Sequence, residues 1–155
     1  MEREREDAPV IACCRHEPIG IFDMTDQRAA PGEARGKTLF AFCGIGHPGA
    51  FVKTLEKMGA KIVGRRFYRD HVAYGEGVLA GLAEAYRRSG AEWLMTTEKD
   101  WVKLKSPDVR RRLPELRWLK IDLVVGEGRE ALCGAINQAL RMDKDSRVTH
   151  SQESR

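Results

Sequence analysis

No stretch of the chain stays apolar for the ~20 residues that a bilayer-spanning helix needs. The start, MEREREDAP, is highly charged and lacks the apolar core of a secretory signal. The cysteines Cys13, Cys14, Cys43 and Cys133 form no C-x-x-C, and no Cys/His cluster has zinc-ligand spacing. Reduced thiols, a cytosolic setting and no structural metal are therefore expected. G-x-x-x-x-G-K-[ST], G-x-S-x-G and H-E-x-x-H are also missing. These gaps exclude a disulfide scaffold, a zinc module and a self-contained P-loop, serine-hydrolase or zinc-protease site. No complete catalytic set is present.

What is present is ordinary globular material. The chain has 155 residues, of which 42% are hydrophobic and 32% charged. That is enough for a domain with a real core. The formal charge of +4 comes with arginine clusters at Arg65–Arg66, Arg87–Arg88 and Arg110–Arg112. Such clusters fit an anionic partner (phosphate, nucleic acid or a membrane surface) or a solvated helix face.

The organising stretch is KTLFAFCGIGHPGAFVKTLEKMG, Lys37 to Gly59. Thr38 to Cys43 is a near-continuous apolar run, as in a strand covered on both faces. Gly44, Gly46 and Gly49 give G-x-G-x-x-G, and Pro48 suits a first helical turn. Phe51, Val52, Leu55 and Met58 recur at helical spacing, and Gly59 is a stop. A turn of this kind points backbone N–H groups at an anion.

The rest follows the same plan. Pro9–Cys14 and Ile19–Phe22 read as short strands, and Thr25–Gly36 as a loop. Lys61–Phe67 is a strand weakened by Gly64. Tyr68–Glu76 is a loop, Val78–Arg88 a helix ended by Gly90, and Glu92–Thr96 a strand. Thr97 caps a short helix through T-x-x-D, and Ser106 caps another through Arg112. Leu116–Val125 is the last strand and Arg129–Met142 the last helix, with Leu132, Cys133, Ile136 and Leu140 as its apolar stripe. Cys43 and Cys133 read as core residues. Residues 1–8 are expected to be a mobile leader, 9–142 a single α/β domain and 143–155 a disordered tail. The fold class is a parallel or mostly parallel sheet flanked by helices, Rossmann-like and three-layered.

Ligands of such sheets lie beyond the carboxyl ends of the strands. Three loops should gather there: Gly44–Pro48, Arg69–Tyr74 and Thr97–Asp100. The glycine turn fits a dinucleotide fingerprint in context, with Arg65 and Arg66 where a ribose reader would stand; this reading predicts NADP. Alternatively, the glycines merely allow a tight turn and close packing. Asp70 beside His71 can orient an imidazole, or be a solvated pair. His47 can touch a phosphate or cap the helix. Lys99 can neutralise a phosphate, whereas the helix cap accounts for Thr97 and Asp100.

Three motifs in order, AFCGIGHP, YRDHVAY and TTEKD, closely resemble the C-terminal half of the tetraacyldisaccharide 4′-kinases, the lipid A kinases, over roughly Pro9 to Leu140. In that family the turn reads G-I-G-N-P and the second loop F-x-D-H-H-x-Y. The departures here are His47, Val72 and Ala73. The resemblance implies transfer of the γ-phosphate of ATP, with Mg2+, to the 4′-hydroxyl of a tetraacyldisaccharide 1-phosphate. It implies the cytoplasmic face of the inner membrane of Gram-negative bacteria, with this chain peripheral and soluble by itself. ATP and Mg2+ would be held mainly by a P-loop half, supplied in cis or in trans. By the same resemblance, His71 is catalytic, pairing with an aspartate base of that half, and Asp70 supports it. Gly44, Gly46, His47, Thr97 and Lys99 would line the nucleotide cleft. A membrane surface is admitted as a partner and nucleic acid is not. A chain without the P-loop would be inactive alone, or a degenerate relative binding anionic lipid or nucleotide.

Overall fold

A computed structural model of the chain describes residues 9–150, with side chains as far as Arg141. The leader expected at 1–8 lies outside the described residues. The elements in order are β1 (Cys14–Asp23), β2 (Arg28–Ala29), a 3-10 turn (Pro31–Ala34), β3 (Thr38–Cys43), α1 (Pro48–Lys57), β4 (Lys61–Phe67), α2 (Glu76–Ser89), β5 (Trp93–Thr97), α3 (Glu98–Trp101), α4 (Pro107–Arg112), β6 (Leu116–Val125) and α5 (Arg129–His150). The strands form one sheet in the order β2-β1-β6-β5-β3-β4. β6, β5, β3 and β4 pair in parallel, while β2 is antiparallel to β1. The sheet is thus mostly parallel, as its sequence pattern demands.

β3 shows why this is a three-layer fold. Phe40 and Phe42 enter one core with Leu79 and Leu82 of α2, Trp101 of α3 and Val109 of α4. Leu39, Ala41 and Cys43 enter a second core with Phe51, Val52 and Leu55 of α1. Side chains alternate across a strand, so an unbroken apolar run supplies both faces at once. Gly64 is required rather than tolerated: a Cβ there would lie 2.4 Å from Phe40 Cδ2.

The contacts divide the chain into two compact units, where a single domain over 9–142 was expected. One is Pro18–Asp122, which holds both cores; the other comprises the described residues before Pro18 and after Asp122. In the second unit the N–H of Cys13 donates to Glu127 O at 2.9 Å, and Gly126 N–H donates to Cys13 O at 2.9 Å.

Several local expectations need correction. Pro9–Cys14 is not a strand: Val10 and Ile11 are exposed, and β1 begins at Cys14 and runs through His16, Glu17 and Pro18. Its polar start hides it from an apolar-run criterion. The loop expected at Thr25–Gly36 contains β2, reached through a reversal in which Asp23 Oδ1 accepts from Thr25 N, Thr25 Oγ1 and Gln27 N. α5 continues past Met142 to His150, so that part of the expected tail is helical; residues 151–155 lie outside the described ones. No glycine or proline follows Gly134, so no stop signal interrupts it. The stripe of α5 is mostly not core: Cys133, Ile136 and Leu140 are exposed. All four cysteines are free thiols, and only Cys43 is buried. No helix among the described residues is long and apolar enough to cross a membrane.

Candidate functional site

The three loops following β3, β4 and β5 meet through named bonds. Gly44 opens the first. Its N–H donates to Asp100 Oδ2 at 3.0 Å. A Cβ on Gly44 would lie 2.6 Å from Val72 Cγ1, 3.1 Å from Arg69 O and 3.3 Å from Asp100 Oδ1. Only glycine lets the second loop and Asp100 close over this backbone. Gly46 and Gly49 differ: a Cβ on either meets nothing within 4 Å. Close packing therefore explains the first glycine of the pattern and not the other two. His47 stands at the N-cap of α1 but makes no side-chain cap bond, so helix capping does not account for its imidazole.

The third loop supplies the pin. Thr97 is the N-cap of α3 as expected, its Oγ1 accepting from Asp100 N at 3.2 Å. In an ordinary capping box the N3 carboxylate reaches back to the N-cap N–H. Here Asp100 instead accepts from Thr97 Oγ1 at 2.8 Å and from Gly44 N–H, 56 residues away in sequence. Asp100 is fully buried, and its Oδ1 faces Lys103 Nζ at 3.7 Å. Buried carboxylates persist only where such donors meet them. Asp100 and Lys103 were not among the residues expected to matter beyond the helix cap. A T-x-x-D box explains an aspartate locally and so conceals any longer-range use.

The second loop is held from both ends and from its middle. Tyr68 and Tyr74 stack edge to face at 5.7 Å, and Tyr74 packs likewise on Phe42 at 5.9 Å. Burial, then the neighbouring Asp100 charge, pushes the Tyr74 phenol well above its ordinary pKa. The same two causes raise the Cys43 thiol to about 11, so it is inert near neutral pH. Asp70 Oδ1 accepts from Lys99 Nζ at 2.8 Å and from the N–H of His71 at 3.0 Å. The Lys99 hydrogen bond is the main cause that holds the Asp70 carboxyl below its usual range. His71 adopts φ +62, and its side chain is 80% exposed, with Nε2 3.8 Å from Asp70 Oδ2. The imidazole is presented outward on a constrained backbone.

Of the expected site residues, Gly44, Asp70, His71, Thr97 and Lys99 are thus brought together. Gly46 and His47 lie on the same turn, open to approach. Arg66 Nη1 donates to Gly81 O of α2 at 2.6 Å, which engages one of its five N–H donors.

A mostly parallel α/β sheet with three interlocked loops beyond its strand ends, one presenting a histidine, is the arrangement in which doubly wound folds place their ligands. The family model described as Tetraacyldisaccharide-1-P 4′-kinase matches residues 2–141, and the chain belongs to that family. It is 32% identical over 134 residues to the tetraacyldisaccharide 4′-kinase of Anaeromyxobacter sp. (strain K), covering 86% of this chain and 35% of that protein. It is 55% identical over 69 residues to the corresponding enzyme of Methylobacterium radiotolerans, covering 44% of this chain and 21% of that one. The crystal structure of the "apo" form of LpxK from Aquifex aeolicus in complex with ATP superposes with a TM-score of 0.53 at 20% identity, over 81% of this chain and 35% of that one. At that identity the likeness speaks for the fold. The chain spans about a third of the length of the relatives it matches.

Proposed function

We propose that this chain is the C-terminal lobe of a lipid A 4′-kinase, which acts on a tetraacyldisaccharide 1-phosphate together with a P-loop half supplied in cis or in trans. The observation that carries the reading is the convergence of the glycine turn, the His71 loop and Thr97–Asp100 at one end of the sheet, joined by the Asp100–Gly44 and Lys99–Asp70 bonds. Those three stretches are the ones the family resemblance singles out.

In phosphoryl transfer the substrate hydroxyl attacks the γ-phosphorus, the bond to the β-phosphate oxygen breaks, and ADP leaves; positioning and charge stabilisation do most of the work. This lobe contributes a closing surface. His71, exposed on a fixed backbone, is the group able to reach across and orient a base of the other half. Asp70 accepts the His71 N–H and so fixes that backbone. Thr97 O–H and Gly44 N–H are occupied by Asp100, so Gly46 and His47 at the N-terminus of α1, with the exposed Lys99, remain for nucleotide contact. Among the described residues no three histidine, cysteine or carboxylate groups gather. Mg2+ would be held mainly by the P-loop half, as the family resemblance implies. The setting that follows is peripheral, at the cytoplasmic face of the inner membrane.

The test mixes this chain with the P-loop-bearing portion of the Methylobacterium radiotolerans enzyme, ATP, Mg2+ and the tetraacyldisaccharide 1-phosphate. Phosphate transfer is expected only with both proteins present. His71→Ala should lower the rate roughly 100-fold, the scale of a lost acid–base participant. No transfer in the mixture, or saturable NADPH binding by the chain alone, would overturn the reading.

A further inference from the structure

Asp100 is buried in the four-residue helix α3, with Lys103 Nζ 3.7 Å away as its counter-ion, and it touches all three loops directly or at one remove. Its Oδ2 binds Gly44 N–H in the first and Thr97 O–H in the third. Its Oδ1 faces Lys103 Nζ, which in turn donates to Val72 O of the second loop at 3.4 Å. Val72 and the Arg69 carbonyl also lie directly over Gly44, in the space where a Cβ would stand. The Gly44 amide, which the glycine pattern offers to an external anion, is therefore taken by an internal one.

We propose that Asp100 is the positioning residue of this site: its carboxylate locks the glycine turn under the His71 loop and thereby sets where His71 is presented. Asp100 is fully buried and acts through Gly44 and Val72. Because it acts on the site described above, its effect on phosphate transfer rests on the kinase reading; its effect on the loops does not.

The experiment follows amide hydrogen exchange and backbone NMR shifts in the full chain for wild type, Asp100→Asn and Asp100→Ala. A bond to a charged acceptor is about twice as strong as one to a neutral acceptor, so exchange at Gly44 should rise in steps, roughly threefold for Asn and at least tenfold for Ala. Resonances of residues 70–73 should move with it, while exchange at Phe40 and Ala41 inside β3 stays within about twofold. Unchanged Gly44 exchange and unmoved 70–73 resonances in Asp100→Ala would overturn the proposal. If the alanine variant does not fold, the Asp–Asn comparison decides alone: Gly44 exchange unchanged by Asn would overturn it.

A second arm uses the reassembled kinase. Asp100→Ala is expected to lower kcat more than tenfold with the KM for ATP little changed, and Asn to restore most of it. Equal kcat in all three proteins would overturn the proposal. Absence of activity in the wild-type mixture would instead count against the kinase reading, leaving the exchange arm to decide the role of Asp100.

Discussion

The glycine turn and the His71 loop touch at Gly44 and Val72, yet they are held in opposite ways. The turn is fixed from within, by the fully buried Asp100 carboxylate. The loop is anchored by aromatic packing at Tyr68 and Tyr74, but at its tip by an exposed ion pair, Asp70–Lys99. Water does not compete for the first kind of contact, whereas the second is screened and adjustable. This site therefore has a fixed floor and an adjustable tip. On the proposed kinase reading, the tip is the part that would meet a second half.

The comparison breaks most readily at its floor. Gly44→Ala places a methyl 2.6 Å from Val72 Cγ1 and 3.1 Å from a backbone carbonyl. Overpacking of this kind costs about 1–3 kcal/mol, and denaturant unfolding should show it. Gly46→Ala, two residues on and facing open space, should stay within ~0.5 kcal/mol. Equal effects at the two positions would mean that the turn is not floored by Gly44.

Thr97→Ala is the next largest expected change. It removes an N-cap and the hydroxyl that donates to Asp100. N-cap losses run at about 0.5–2 kcal/mol, so urea unfolding should shift by less than for Gly44→Ala. A shift indistinguishable from wild type would show that Asp100 does not need its second donor.

These residues also mark what could be read from sequence. β3, β4 and β6 have the bounds expected of them, and in β3 the apolar run Thr38–Cys43 marks its own ends. Thr97 and Ser106 are caps, as Thr/Ser followed by a carboxylate or proline implies locally. The Asp100–Gly44 bond was not legible: it spans 56 residues, and a local cap already explained the aspartate. Nor was the left-handed backbone of His71, since histidine, though enriched there among non-glycine residues, adopts positive φ in only a small minority of cases. The stripe of α5 was correctly grouped on one helix, but periodicity says which residues share a face, never what covers them. Hence Cys133, expected in a core, is exposed.

The tip gives the smallest and most specific effect. Lys99 holds the Asp70 carboxyl below its ordinary value of 3.8. A carboxyl whose pKa is lower in the folded state stabilises that state above its unfolded value, and the contribution is lost as pH falls through the folded value. The relevant window therefore lies below pH about 4, and unfolding at neutral pH should scarcely register the pair, because it is exposed. Direct titration of the Asp70 carboxyl by carbon NMR is the sensitive measurement. Lys99→Met should move its midpoint upward, towards that of an isolated aspartate. High salt should move the wild-type midpoint the same way, since screening weakens an exposed pair and spares the buried Asp100 contacts. If the midpoint is the same with and without Lys99, the ammonium is not what holds the tip, and the contrast between a fixed floor and an adjustable tip loses its second half.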